Sequence, residues 1–197
     1  MIGMTLSQQS RALRPAGPAP LAERLRTAFA WRSDRPDRHS YADMTGWWRD
    51  PELLRELGPA LADLHAARRP TIVVGIESRG SLLGPLAAAA LGVGFVEVRK
   101  EPSPATNSDA WLSATTPPDY HDRHIVLGFA RRLVRGGDRV LLVDDWIATG
   151  GQALGARTLV DRAGATWVGG AVIVDGLRNA RLRRDLGVRS LLHSREL

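Results

Sequence analysis

From Thr71 to His193 the chain alternates short apolar runs with segments of helical character, and this alternation restricts the fold more than any other feature. Thr71 to Ile76 and Val93 to Val98 read as continuous buried strands, with the small-residue stretch Gly80 to Leu91 as the helix between them. Arg139 to Val143, Gly151 to Ala163, Trp167 to Val174, Gly176 to Leu186 and Arg189 to His193 continue as strand, helix, strand, helix and strand. A strand, a crossover helix and a second strand place the two strands parallel. The expected architecture is therefore α/β, a doubly wound parallel sheet flanked by helices. Ligands in such sheets bind at the carboxyl ends of the strands. His124 to Val134 fits strand or helix by its pattern alone.

At 197 residues the chain suits one domain with a full core. Residues 1–19 read as poorly structured, with Pro15 and Pro18 breaking any helix, so residues 20–197 are expected to form the single domain. Leu21 to Phe29 has helical spacing, whereas Trp31 to Asp43 is polar, arginine-rich and turn-like. Asp50, Pro51 and Glu52 read as an N-cap followed by proline at the first helical position, opening a helix to about His65. Its apolar positions Leu53, Leu54, Leu57, Leu61 and Leu64 recur at three and four, which marks one buried face. Residues 101–121, rich in Pro, Ser, Thr and Asn, have no apolar period and are expected to form a flexible loop.

The strand Val140 to Val143 ends on the adjacent acids Asp144 and Asp145, and Trp146 to Gln152 then leads through Thr149, Gly150 and Gly151 into a helix. Paired carboxylates accept hydrogen bonds from vicinal hydroxyls or hold a hydrated Mg²⁺ indirectly, through water or ribose hydroxyls. Ala148 to Gln152 bring backbone N–H groups and a helix N-terminus to a phosphate. A ligand with a ribose ring and a 5′-phosphate fits both ends of this loop. An ordinary strand-to-helix turn needs one capping acid, not two in tandem.

Glu77, Ser78, Arg79 and Gly80 also follow a strand and precede a helix, an arrangement that forms an anion nest with an added cation and hydroxyl donor. The bland reading is a solvated Glu77–Arg79 pair at a helix start. Arg99 and Lys100 end the next strand, and Lys100 is the single lysine in a chain of +6 net charge that otherwise uses arginine. A compact ammonium on a flexible stem is suited to a leaving pyrophosphate, and a surviving surface lysine is the plain alternative. The arginines are spread along the chain with no basic arm, which favours a small polyanionic substrate over nucleic acid. The chain has no cysteine, hence no disulfide, thiolate chemistry or zinc ribbon. No apolar run reaches membrane-spanning length and the N-terminus lacks an apolar signal core, so a cytoplasmic location is expected.

The Val140 to Gln152 stretch resembles the phosphoribosyl pyrophosphate signature of type I phosphoribosyltransferases at nearly every position except Gln152, where a hydroxyl residue is more usual. Gly75 to Gly92 resembles the pyrophosphate loop and following helix of the adenine phosphoribosyltransferases, as does Val98-Arg99-Lys100. Tyr41 to Thr45, followed by Arg49 to Leu54, is similar to that family's F-R-D-I-T/S segment and its helix. The resemblance runs from about residue 41 to the end of the chain. It implies a type I core with a small hood, Mg²⁺, a homodimer, and a purine-salvage transferase moving ribose 5-phosphate from phosphoribosyl pyrophosphate to a nitrogenous base. The donor residues it implies are Ser78, Arg79, Gly80, Arg99, Lys100, Asp144, Asp145, Ala148, Thr149, Gly150, Gly151 and Gln152, with Arg79, Lys100, Asp144 and Asp145 as the catalytic set.

Three departures concern the acceptor. Ala42 stands where the family carries arginine, and Pro117 to His124 replaces a loop segment whose glutamate lies near the base. Gly151-Gln152-Ala153 matches the xanthine-type relatives instead. A purine-like base other than adenine is therefore open. Tyr41, Trp146 and Ile147 are the expected base pocket, Trp146 being an indole where relatives carry an aliphatic residue. Trp47 and Trp48 either stack on the base or pack the hood, and packing is the favoured reading. Loss of pyrophosphate leaves an oxocarbenium-like sugar attacked by a ring nitrogen, so the protein's work is positioning and electrostatic stabilisation. Asp119, His121, Asp122 and His124 are candidate acid–base groups by position only. The alternative is a non-catalytic regulator of the same fold that senses the donor or a nucleotide. The missing loop glutamate favours it, the intact pyrophosphate loop and Lys100 oppose it, and no helix-turn-helix is visible in the first forty residues.

Overall fold

Helix α3 (Pro51–Asp63) begins where its cap predicts: the Asp50 carboxylate accepts from the Glu52 and Leu53 amides at 2.8 and 3.1 Å. Leu53, Leu57 and Leu61 are fully buried, while Leu54 and Leu64 sit at the edge of that face. The computed structural model describes residues 19–33, 40–101, 110–117 and 124–197. The N-terminal segment expected to be poorly structured lies outside the described residues up to residue 18.

Before α3 come α1 (Leu21–Thr27), an antiparallel pair β1 (Ala30–Ser33) and β2 (Ser40–Asp43), and α2 (Thr45–Arg49). The Trp31 to Asp43 stretch, expected to be turn-like, thus carries two short strands. Sequence periodicity does not reveal them because three of the four β1 residues are exposed and alternate nothing apolar. This group is the hood. Trp47 anchors it, fully buried, with its indole N–H donating to the Leu25 carbonyl at 2.8 Å. Trp48 meets Trp47 edge-on, with ring centroids 5.9 Å apart. Both tryptophans pack the hood, as favoured.

The main sheet follows with β3 (Ile72–Ile76), α4 (Gly80–Leu91), β4 (Gly94–Lys100), β5 (Trp111–Thr115), β6 (Val126–Ala130), β7 (Arg139–Ile147), α5 (Gly151–Arg162), β8 (Thr166–Asp175), α6 (Ala180–Leu186) and β9 (Val188–His193). Its seven strands lie in the order β5-β6-β4-β3-β7-β8-β9. β4, β3, β7, β8 and β9 are mutually parallel, as the alternation requires. At one edge β6 runs antiparallel to both β4 and β5, so the sheet is mostly rather than wholly parallel. No described helix separates these strands, and antiparallel neighbours need no crossover. β5 falls inside the stretch expected to be a flexible loop. Its Leu112 and Ala114 are buried and Ser113 and Thr115 exposed, a period of two too short to stand out. Residues 102–109 and 118–121 of that loop lie outside the described residues.

Helices cover both faces. Val74, Ile76, Leu142 and Val172 pack with Leu159 and Val160 of α5 on one side. Val73, Leu141, Val143 and Ile173 pack with α3, α4 and the hood on the other. Adjacent strand residues thus enter opposite cores, which explains why these strands read as unbroken apolar runs. Among the described residues no helix is long and apolar enough to cross a membrane.

Candidate active site

The carboxyl ends of β3, β4 and β7 open into a cleft of about 740 Å³. Its first wall is the turn from β3 into α4. Gly75 lets these elements touch: a Cβ there would lie 2.1 Å from the Gly80 carbonyl oxygen. The contact draws Ser78 and Arg79 tightly over the strand end, where both line the cleft. Gly80 itself is buried behind them. Glu77 does not pair with Arg79. Its carboxylate accepts from the Lys100 amide at 2.7 Å and faces Arg99 at 3.6 Å, so it ties the end of β4 to this turn.

Lys100 lines the cleft, and Arg99 does not. Neighbouring strand residues point to opposite faces, and Arg99 turns to Glu77 and to Glu97, 3.9 Å away. Of the two cations expected to end this strand, only Lys100 faces the cleft.

The second wall is β7, which extends beyond the four apolar residues because Trp146 and Ile147 pair with Val174 and Asp175 of β8. Asp144 and Asp145 both border the cleft but keep different company. Asp145 is buried and forms an ion pair with the Arg79 Nε. Asp144 accepts from the Asp145 amide at 2.9 Å. Burial first, and then the neighbouring Asp145 charge, pushes the Asp144 carboxyl well above the usual range, with Lys100 opposing. A proton or a cation is what this carboxylate needs. Among the described residues no cluster of three or more acidic, His or Cys side chains could enclose a metal. That donor set suits Mg²⁺, which takes one or two carboxylates and completes its shell from water and substrate phosphates.

Ala148, Thr149, Gly150 and Gly151 make the third wall. Gly150 has φ +85°, in the left-handed region, and a Cβ there would sit 2.8 Å from the Leu182 side chain. The turn aims the N-terminus of α5 into the cleft with no side-chain cap and no acid in its first turn. Apart from a long 3.4 Å contact from the Gly151 amide to Thr149 Oγ1, the helix-start amides are uncapped, and with the helix dipole they favour an anion. Gln152 borders the same end, half-buried.

The opposite end is apolar and built largely by the hood: Trp31, Tyr41, Ala42 and Met44 face Trp146 and Ile147. The Trp31 and Trp146 rings meet edge to face with centroids 6.2 Å apart, and Phe29 stacks on Trp146 at 6.3 Å. The Trp31 indole N–H donates to the Leu197 carbonyl at 3.2 Å. Sequence reasoning misses Trp31, at the start of a polar stretch, because only pairing of β1 with β2 carries it to the cleft. Thr116, Pro117 and Ile125 close the side toward β5 and β6. His124 is exposed, with Nδ1 3.0 Å from the Thr116 carbonyl oxygen, and it is not a cleft residue. Asp119, His121 and Asp122 lie outside the described residues.

One cavity is therefore lined by two cations, helix-start amides, two carboxylates and flat apolar rings. This set of surfaces matches anionic groups, a sugar and a heteroaromatic ring.

Comparisons with known proteins show the family. The family model for the phosphoribosyl transferase domain matches residues 49–192. An adenine phosphoribosyltransferase of Paracidovorax citrulli is 39% identical over 138 residues, covering 68% of this chain and 72% of the relative. That of Cupriavidus taiwanensis is 34% identical over 178 residues, covering 88% and 83%. Among solved structures, the adenine phosphoribosyltransferase of Rhodothermus marinus superposes with TM-score 0.73 at 34% identity, covering 88% of this chain and 98% of that one. The Saccharomyces cerevisiae enzyme, complexed with an imino-altritol bisphosphate and adenine, gives TM-score 0.71 at 30% identity, covering 87% and 98%.

Proposed function

The chain belongs to the phosphoribosyl transferase family, and from that premise we propose that its cleft transfers ribose 5-phosphate from phosphoribosyl pyrophosphate to a nitrogen of a purine-like base, releasing pyrophosphate. Its relatives are transferases of purine salvage, and they lend no support to the alternative of a non-catalytic sensor. The observation that carries the reading is that one cleft is lined by Arg79 and Lys100, by Asp144 and Asp145, by the turn into α5 and by Trp146 and Ile147.

In this reading Ser78, Arg79 and Lys100 receive the pyrophosphate, with Arg99 and Gly80 supporting the turn from behind. The amides of Ala148 to Gly151, with Gln152, hold the 5′-phosphate. Asp144 and Asp145 supply the carboxylates at the ribose; they would hold a hydrated Mg²⁺ together with the substrate, and that ion would supply charge neutralisation for the leaving group. Breaking the anomeric C–O bond places positive charge on the sugar and negative charge on the pyrophosphate. Fixed cations at one end and carboxylates beneath the ring stabilise both developing charges without rearranging. No covalent intermediate is needed: the leaving oxygen keeps its electron pair, the base nitrogen supplies the pair for the new C–N bond, and the proton released from the base passes to solvent. Tyr41, Trp146 and Ile147 flank the acceptor.

Adenine, named for the relatives, is the first acceptor to test, although Ala42 lacks the side chain that the family places beside it. A cytoplasmic homodimer acting on small molecules, with no nucleic-acid or membrane partner, completes the proposal. Pyrophosphate release with Mg²⁺, phosphoribosyl pyrophosphate and a panel of purines and pyrimidines tests it. Turnover with at least one purine is expected; donor binding with no release for any base would remove the enzymatic reading.

A further inference from the structure

The turn from β7 into α5 is held from outside more than from within. Gly150 keeps its φ of +85° with no side chain of its own to pack. Among the described residues the one side-chain bond inside the turn is the 3.4 Å contact from the Gly151 amide to Thr149 Oγ1. Its backing comes from the segment after β8: a Cβ at Gly150 would lie 2.8 Å from the Leu182 side chain and 3.2 Å from that of Leu177. Neither leucine borders the cleft, so both press on the turn from behind. The Gly176 amide donates to the Ile147 carbonyl at 2.8 Å, which joins the two loops at their roots.

One buried carboxylate fixes where those leucines stand. Asp175 ends β8, and its side chain is 1% exposed. Its Oδ1 accepts from the Leu177 amide at 2.8 Å, and its Oδ2 accepts from Arg183 Nε at 2.5 Å. His193 Nδ1 stands 3.7 Å from the same Oδ2. The Arg183 Nη2 also donates to the Leu177 carbonyl. Arg183 follows Leu182 on α6, a helix capped by the Asn179 side chain, which accepts from the Arg181 and Leu182 amides at 3.0 Å. The planar guanidinium fork thus ties both Leu177 and the helix carrying Leu182 to one acid. We propose that Asp175 and Arg183 are positioning residues for the phosphate turn, acting through Leu177 and Leu182 on Gly150. The proposal rests on the reading of that turn as the 5′-phosphate cradle. Neither residue borders the cleft. They hold the turn in its binding form before the phosphate arrives, so less order has to be gained on binding.

Calorimetric titration of the full chain with ribose 5-phosphate, and separately with pyrophosphate, tests this at one fixed pH. Asp175→Asn and Arg183→Gln should each weaken ribose 5-phosphate by about tenfold, the loss expected when the binding form of the turn is populated about a tenth of the time. Pyrophosphate, which meets the turn after β3, should change less than about twofold. The double variant should be no weaker than the weaker single one, because both residues act through one bridge. Removing one partner of a buried pair can prevent folding. Leu182→Ala leaves that pair intact, removes the contact with Gly150, and should reproduce the selective loss. Equal losses for both ligands would make the bridge a general support of the fold and overturn the assignment. Unchanged ribose 5-phosphate affinity in Leu182→Ala, or multiplying losses in the double variant, would overturn it equally. A wild-type protein that binds pyrophosphate but not ribose 5-phosphate overturns the reading of the turn and this inference with it, whereas wild-type binding of both isolates the question of Asp175 and Arg183.

Discussion

The indole of Trp31, in the hood, meets the indole of Trp146, at the end of β7, edge to face with centroids 6.2 Å apart. Edge-to-face aromatic pairs contribute about 0.5–1.5 kcal/mol beyond the area they bury. This pair joins the hood to the sheet at the point where the acceptor is expected. Trp31 nevertheless remains 49% exposed, leaving ring surface for a ligand to cover.

Trp31→Ala should therefore raise the KM for a purine acceptor roughly ten- to a hundredfold, the range of one base–aromatic stack. The KM for phosphoribosyl pyrophosphate should change little, and Trp31→Phe should recover most of the loss. Steady-state kinetics with each substrate varied in turn would show this. Equal rises in both KM values would make Trp31 a general support of the hood.

Asp144 should limit stability as well as serve binding. Burial and the Asp145 charge hold its folded-state pKa well above the ordinary aspartate value of 3.8, so the folded protein holds a proton that the unfolded chain releases. The stability of the wild type should fall as pH rises from about 3.8 through the folded-state value, and level off above it. Asp144→Asn removes that dependence. Thermal melts across the acid-to-neutral range should show the variant gaining on wild type as pH rises, while donor affinity drops about tenfold or more.

Gly150 cannot take a side chain cheaply. An L-residue at φ +85° costs about 1–2 kcal/mol, and the added Cβ would press on Leu182 as well. Gly150→Ala should lower stability by about 1–3 kcal/mol and weaken phosphate binding more than base binding. Denaturant unfolding and titration with ribose 5-phosphate would measure both effects.

His65 is buried, with Nε2 3.3 Å from the Gly170 carbonyl oxygen and Nδ1 without a hydrogen-bond partner among the described residues. Burial foremost, with Arg189 and Arg68 nearby, lowers its pKa below 6.5 despite the Gly170 contact. The unfolded chain then takes up a proton at a pH where the folded protein does not. The stability that depends on neutral His65 is fully present above about 6.5 and shrinks as pH falls toward the folded-state value. A His65→Gln variant should show a flatter stability profile between pH 7 and 5 than wild type, read by chemical denaturation at each pH.

Much of the fold was legible because it is written locally. The Asp50-Pro51 start of α3 depends on hydrogen bonds within three residues, and the structure reproduces it. The helix Gly80 to Leu91 and the parallel pairing of its flanking strands follow from apolar runs and crossover handedness. Of the expected donor residues, Ser78, Arg79, Lys100, Asp144, Asp145 and Ala148 to Gln152 gather at one cleft. Arg99 and Gly80 do not reach it, because strand alternation and the Gly75 contact turn them away. β5, with a single short alternation, and the hood strands lie below what periodicity can reveal.

By itself the sequence determined the strand and helix order, the carboxyl-end placement of two anion turns, and the family to which they belong. These depend on periodicities, caps and glycine turns that span a few residues. Only the tertiary structure decided that Asp145 engages Arg79 while Asp144 stands apart, and that Trp31 closes the far end of the cleft against Trp146. Each of those pairings joins residues from different elements. Sheet register and hood docking bring them together, and both are set by burial summed over the whole core rather than by any local pattern.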